Sequence, residues 1–314
     1  MQIFDTVATR NALPFVPLIA GLRALFAAGC CVPPRHVHEI VSPGGERMTS
    51  LLMPAWIEGR YYGIKTINIA PGNAARGLPG LHATYLLFDA VSGVPLALMD
   101  GDQITARRTA AASALAASYL ARSDAKHLLI VGAGRIARLL PEAYRAVRPI
   151  ERVSVWARSP LQTEALAHTL RQDGFDAAAV PDLARAVRAA DIVSCATLST
   201  TPLVEGVWLQ PRSHLDLIGS FTPAMREADD ACFSRAALYV DTEEAMQKSG
   251  DLTGPMSRGV FSADDVCGTL ASLCRGDTGP LHAAPQRTVF KAVGTALEDL
   301  AAAMMVWEGA AALS

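Results

Sequence analysis

The sequence predicts an α/β chain: a doubly wound parallel sheet, with a second, α+β part built from the two ends of the chain. Three observations carry this. Lys126–Arg138 (KHLLIVGAGRIAR) reads as a strand, a glycine turn and the start of a helix. From there to residue 241, short apolar runs alternate with helical patterns, the signature of parallel strands joined by crossover helices. The first hundred residues instead show mostly paired, antiparallel strand patterns, a different architecture.

His127–Val131 is apolar without alternation, as a strand covered on both faces should be. Gly132-Ala133-Gly134, followed by Ala137, gives the pattern G-x-G-x-x-A. Gly132 permits a tight turn. Gly134 lets backbone N–H groups approach a pyrophosphate at the helix N-terminus, and Ala137 lets that helix lie close on the strand. The pattern points to a dinucleotide. The next strand, at 152–156, is followed by Ala157-Arg158-Ser159 rather than by the Asp or Glu that binds a ribose 2′-OH. A guanidinium and a hydroxyl there suit a 2′-phosphate, so NADP(H) is expected ahead of NAD(H).

The remaining elements follow in order. Residues 14–28 read as a helix with Leu18, Leu22, Leu25 and Phe26 on one face; Pro33-Pro34 stops it, and an extended segment follows. Residues 47–54 and 61–69 read as strands, the second with Lys65, Ile67 and Ile69 on one face and Ile64, Thr66 and Asn68 on the other. A Gly/Pro-rich turn occupies 71–80, and 82–90 pairs with 94–99 about Val91-Ser92-Gly93. Residues 103–122 form an alanine-rich helix that bridges into the second part. Further strands are expected at 176–180, 191–196, 213–218 and 237–241, with helices at 160–172 and 182–189. Residues 288–312 read as one long apolar helix returning to the first part. The expected domains are therefore 1–118 with 288–314, and 119–287.

A chain of 314 residues is long enough for two cores, and 51% hydrophobic against 18% charged residues marks it as globular. A net charge of −2 gives no reason to expect nucleic acid or an anionic membrane. The opening MQIFDTVATR lacks a basic segment and an apolar core, so no signal peptide and a cytoplasmic location are expected. Pro14, Pro17 and Arg23 break the apolar stretch 12–32, which suits an amphipathic helix better than a membrane span. The six cysteines show no C-x-x-C, and His36 and His38 lack a third ligand, so reduced thiols and no metal are expected. No G-x-S-x-G supports hydrolase chemistry.

Four cations stand out before the glycine turn: Arg35, Lys65, Arg107 and Arg108. Lysine is seldom buried without a partner, yet Lys65 lies inside an apolar strand. Arg107 and Arg108 fall in the first turns of the alanine helix, where a cation opposes the helix dipole. An anion should compensate: a substrate carboxylate, a cofactor pyrophosphate, or a protein acid such as Asp100 or Asp102.

With these residues in view, the chain resembles the ornithine cyclodeaminase/mu-crystallin family. The resemblance runs through LLMPAW (51–56), GIKTINIAPGN (63–73), GLPGLHATYLLFDAVSGVPLALMDG (77–101), ITARRTAAASALAASYLA (104–121), VGAG (131–134) and TVFKAVGTALED (288–299). It implies a Rossmann domain plus a discontinuous substrate and dimerisation domain, and a homodimer. By motif, Arg35, Lys65 and Arg108 match the carboxylate-binding cations, and Arg108 lies with Thr109 near the nicotinamide. Ala133, Arg135 and Ile136 match the phosphate turn, Arg158 and Ser159 the 2′-phosphate contacts, and Thr197, Leu198, Gly219 and Ser220 the nicotinamide lining. Three positions depart from the family pattern. Phe221 stands where cyclodeaminases keep a catalytic Asp, Ile136 replaces a Gln, and Ala292 replaces a Ser.

The resemblance implies NAD(P)H-dependent reduction of a cyclic ketimine carboxylate, Δ1-pyrroline-2-carboxylate to L-proline or its six-membered homologue to L-pipecolate. Lys65 would clamp the carboxylate and relay a proton, and Met53 and Phe221 would wall the ring. The alternatives are a cyclodeaminase or alanine-dehydrogenase-type enzyme, and a non-catalytic protein that binds NADPH and a small ligand.

Overall fold

The computed structural model describes residues 1–277 and 287–311. Residues 278–286, within the expected second domain, and 312–314, at the end of the expected terminal helix, lie outside them. The chain divides into two compact units, Met1–Arg108 with Thr295–Ser314, and Thr109–Gly294.

The first unit opens with β1 (Gln2–Phe4), α1 (Thr6–Asn11) and α2 (Phe15–Ala28). Helix α2 buries Phe15, Leu18, Ile19, Leu22, Leu25 and Phe26, one stripe at helical spacing, and ends at Gly29 with φ +76°. The sheet follows: β2 (His36–Val41), β3 (Arg47–Ile57), β4 (Tyr61–Ile69), β5 (Leu81–Asp89) and β6 (Pro95–Asp100). Its order is β1-β6-β5-β4-β3-β2, antiparallel except for β1 on β6. Helix α3 (Gly101–Leu120) begins in this unit and continues into the second. Asp100 Oδ1 accepts the Gln103 N–H at its start, so Asp100 serves as a cap and not as the partner considered for Arg107 or Arg108.

The second unit alternates strand and helix: β7 (His127–Val131), α4 (Arg135–Arg145), β8 (Arg152–Trp156), α5 (Pro160–Gln172), β9 (Asp176–Ala179), α6 (Leu183–Ala189), β10 (Ile192–Cys195), β11 (His214–Leu217) and β12 (Ala236–Val240). Helices α7 (Ala245–Lys248) and α8 (Gly250–Ser257), strand β13 (Val266–Thr269), helix α9 (Leu270–Arg275) and strand β14 (Arg287–Lys291) complete it. The sheet order is β13-β12-β14-β11-β10-β7-β8-β9, and every pair is parallel. The order reverses between β7 and β10, which creates the crevice where doubly wound sheets bind ligands. Every residue of β7 is buried, which accounts for its unbroken apolar run.

The end of the chain departs from expectation. Residues 287–291 are not helical; they form β14, inserted between β11 and β12. Thr288, Val289 and Phe290 are β-branched or aromatic and buried, which suits a central strand better than a helix. Gly294, at φ +79°, then breaks the chain, and α10 (Ala296–Ala311) belongs to the first unit. It packs on α2, β3 and β4. Strand β13 also went unforeseen, because Val266-Cys267-Gly268-Thr269 is short and carries a glycine. Among the described residues, no helix is long and apolar enough to cross a membrane.

Candidate functional site

In the first unit, strand register lines up one row of side chains on the sheet face under α10. Phe4 lies beside Met99, Met99 beside Tyr85, Tyr85 beside Lys65, and Lys65 beside Met53. All are buried, Lys65 completely. A lysine here needs an anion, and the first turn of α10 delivers two carboxylates. Lys65 Nζ lies 2.6 Å from Asp299 Oδ2. Arg108 Nε donates to Asp299 Oδ1 at 2.9 Å, and Arg108 Nη1 donates to Glu298. The acids also sit well at a helix N-terminus, where the dipole favours negative charge.

The cluster of two cations and two anions has no net charge, which offsets much of the cost of burying it. Burial lowers the Lys65 pKa to about 8, with Arg108 adding to the effect and Asp299 and Glu298 opposing it. Burial alone would raise Asp299, but Lys65 and Arg108 hold it below the usual carboxylate range. Burial alone would lower Arg108; Asp299 and Glu298 raise it instead, so it stays charged. The cluster therefore offers one permanent cation and one ammonium that exchanges its proton close to neutral pH.

The other predicted cations are placed differently. Arg107 donates from Nε to the Leu13 carbonyl at 2.6 Å and stacks on the Phe15 ring, so it fastens α3 to the segment before α2. Arg35 is half-buried and immediately precedes His36, which pairs with Leu52, at the Met53 end of the row. His36 and His38 stack on an exposed edge strand.

In the second unit, the predicted residues other than Thr109 follow the C-terminal ends of four adjacent strands, β8, β7, β10 and β11. Gly132 has φ +122°, and a Cβ there would sit 2.5 Å from the Ala196 carbonyl oxygen. Gly132→Ala is expected to cost about 2–4 kcal/mol, read as a lower denaturation midpoint of the cofactor-free protein. Gly134 differs: a Cβ would meet nothing within 4 Å. It is the N-cap of α4 and makes no side-chain cap hydrogen bond, a helix start of the kind that suits an anion. Ala133, Arg135 and Ile136 flank this turn, and Ala137 is buried against the sheet. These features fit a dinucleotide pyrophosphate.

Arg158 is exposed beyond β8. Ser159 caps α5 by accepting the Gln162 N–H, which leaves its hydroxyl hydrogen for another partner. Thr109 lies in α3 at the boundary of the second unit. Thr197 and Gly219 are held side by side by a buried carboxylate, Glu227, that the sequence did not single out. In the run Arg226-Glu227-Ala228-Asp229-Asp230 it reads as one more charge of a solvated loop. Ser220 turns its hydroxyl inward to the Met225 carbonyl, so its share in any pocket is through its backbone. Leu198 and Phe221 stand out by exposure, 68% and 45%. Exposed apolar side chains at the ligand-binding edge of a parallel sheet suit a binding surface.

The model of the ornithine cyclodeaminase/mu-crystallin family matches residues 25–313. A Δ1-pyrroline-2-carboxylate reductase of Paracoccus denitrificans is 47% identical over 274 residues, 87% of this chain and 86% of that protein. The solved structure of Thermococcus litoralis Δ1-pyrroline-2-carboxylate reductase, in complex with NADH and L-proline, superposes with a TM-score of 0.91 at 31% identity, covering 99% of this chain and 98% of that one. An archaeal alanine dehydrogenase dimer with bound NAD superposes with a TM-score of 0.91 at 28% identity, over 99% and 96% of the two chains. A glycine turn at the switch point of a parallel sheet, a buried Lys–Arg–Asp–Glu cluster on a separate unit and a match from residue 25 to 313 together place this chain in the ornithine cyclodeaminase/mu-crystallin family.

Proposed function

We propose that the protein reduces a cyclic ketimine carboxylate, Δ1-pyrroline-2-carboxylate or Δ1-piperideine-2-carboxylate, to the corresponding cyclic amino acid with a nicotinamide dinucleotide. The observation that carries this is the buried Lys65–Arg108 pair, two cations fixed on a rigid sheet and helix in one neutral cluster. The identity with the Paracoccus reductase and the proline held by the Thermococcus structure support the same substrate class.

The turn Gly132–Gly134 with Arg135 and Ile136 would hold a dinucleotide by its pyrophosphate, and its reduced nicotinamide would supply the hydride for the imine carbon that bears the carboxylate. Lys65 and Arg108, with Arg35 as a third cation, hold that carboxylate and so fix which ring atom is presented. Met53, beside Lys65 in the register, gives the ring an apolar contact. As the C=N bond becomes single its electron pair moves to nitrogen, which must carry a proton; Lys65 supplies it when the imine arrives neutral, and Asp299 steadies the ammonium. Phe221 offers no acid or base, which fits reduction of a ready-made imine and not deamination. Ornithine is accordingly expected to give no ammonia. Arg158 and Ser159 direct the preference to NADPH through its 2′-phosphate. The working form is a homodimer.

The Lys65 pKa of about 8 sets the direction of the pH dependence. Below it the ammonium is charged and binds the carboxylate; above it, that attraction is lost. Initial rates against pH are expected to show kcat/KM for the imine falling above about pH 8. Lys65→Arg, charged throughout, should lose this limb. The reading itself is tested by coupling NADPH oxidation to product: one proline formed per NADPH consumed supports it, and NADPH consumption without proline contradicts it.

A further inference from the structure

Strands β10 and β11 are neighbours, and the chain turns after each, at Ala196-Thr197 and at Ile218-Gly219. One buried side chain ties the two turns together. Glu227 Oε1 accepts the Thr197 backbone N–H at 2.7 Å and the Thr197 hydroxyl at 2.9 Å. Its other oxygen, Oε2, accepts the Gly219 N–H at 2.7 Å. The turns are already in contact, since a Cβ on Gly219 would lie 1.8 Å from the Thr197 carbonyl oxygen and 2.5 Å from Glu227 Oε1.

The clamp is itself anchored from behind. Glu227 N and Ala228 N both donate to Asp251 Oδ1, at 2.8 and 3.1 Å. The fully buried Lys291 donates to the Leu217 carbonyl at 2.9 Å and lies 3.9 Å from Asp251, so it secures the base of the second turn. Burial raises the Glu227 pKa to about 7, with Lys291 opposing and Asp251 adding to the rise. A carboxylate is costly in such a place, and two ordinary loop turns could be satisfied by water or neutral side chains.

The direction of the cofactor follows from the sheet. The anion-binding helix start lies after β7, and Arg158 marks the adenosine side over β8. The other half of the dinucleotide must then extend over the opposite neighbours of β7, which are β10 and β11. We propose that Glu227 is a positioning residue that fixes the spacing of these two turns and thereby the bed for the nicotinamide half of the cofactor. This rests on the dinucleotide reading above.

The test uses the full-length protein, without imine substrate, and two probes: NADPH and adenosine 2′,5′-bisphosphate, which carries only the adenosine end. In Glu227→Gln one oxygen becomes an NH2 group, which cannot accept from the turn it faces. NADPH affinity, read by fluorescence titration, should fall about tenfold to hundredfold, roughly the worth of a charge-assisted hydrogen bond. Affinity for the bisphosphate should stay within twofold. In turnover the KM for NADPH should rise while that for the imine holds. Thr197→Val, which removes one hydroxyl donor and leaves both backbone bonds, should show a smaller loss with the same selectivity and serves if Glu227→Gln does not fold. Equal weakening of both probes, or of neither, overturns the proposal. A wild-type protein that binds neither probe overturns instead the dinucleotide reading on which it rests.

Discussion

Lys65→Met is expected to lower kcat/KM for a cyclic ketimine carboxylate by about a hundredfold to a thousandfold, with NADPH affinity within twofold of the wild type. Losing one buried, charge-assisted contact to the carboxylate costs about 3–4 kcal/mol, at roughly 1.4 kcal/mol per tenfold. The loss should fall mostly on the imine, because Lys65 lies in the first unit and the glycine turn in the second. The same substitution removes the ammonium that sits 2.6 Å from Asp299. Asp299 keeps its bond to Arg108, but the cluster becomes net negative, and breaking a buried pair typically costs about 3–5 kcal/mol of stability. The pair Lys65→Met with Asp299→Asn separates the two effects. It restores charge balance, so urea denaturation should recover much of the lost stability, while turnover should stay as low as in Lys65→Met alone. Recovery of turnover along with stability would mean that Lys65 acts only as a structural cation.

Arg158→Ala carries the second large effect, on cofactor choice. The side chain is exposed after β8, where adenosine ribose selection takes place in this type of sheet. A guanidinium facing a phosphate contributes about 1.5–3 kcal/mol, so the KM for NADPH should rise about tenfold to hundredfold. The KM for NADH, which has no 2′-phosphate to lose, should change by less than twofold. Since the side chain is exposed, the thermal midpoint should not move. Equal changes for both cofactors would show that Arg158 does not read the phosphate.

Most of the parallel-sheet unit was legible in the sequence, for physical reasons. A strand buried on both faces leaves an unbroken apolar run, and only glycine serves at a turn such as Gly132, where φ is +122° and a carbonyl oxygen stands 2.5 Å from the Cβ position. Lys65 was conspicuous for the opposite reason, a charge in a strand that otherwise alternates. Its partners were hidden. Asp299 lies 191 positions from Arg108 and looked like one residue of a helix taken to begin at 288. The break at Gly294 was the available signal: it separates a β-branched strand from an alanine-rich helix and puts Glu298 and Asp299 in a first turn, where acids belong. Glu227 offered no such signal. Its neighbours Arg226, Asp229 and Asp230 make the segment look solvated, and only tertiary packing takes this one carboxylate inside.

Ketimine reduction is tested most directly by where the hydride goes. NADPH carrying deuterium at C4, on one face or the other, can be turned over with Δ1-pyrroline-2-carboxylate and the product examined by mass spectrometry and proton NMR. Reduction at the carbon bearing the carboxylate predicts one deuterium per proline, at C2, from only one of the two labelled cofactors. Proline without deuterium from either, or label at a ring carbon that does not bear the carboxylate, would contradict it.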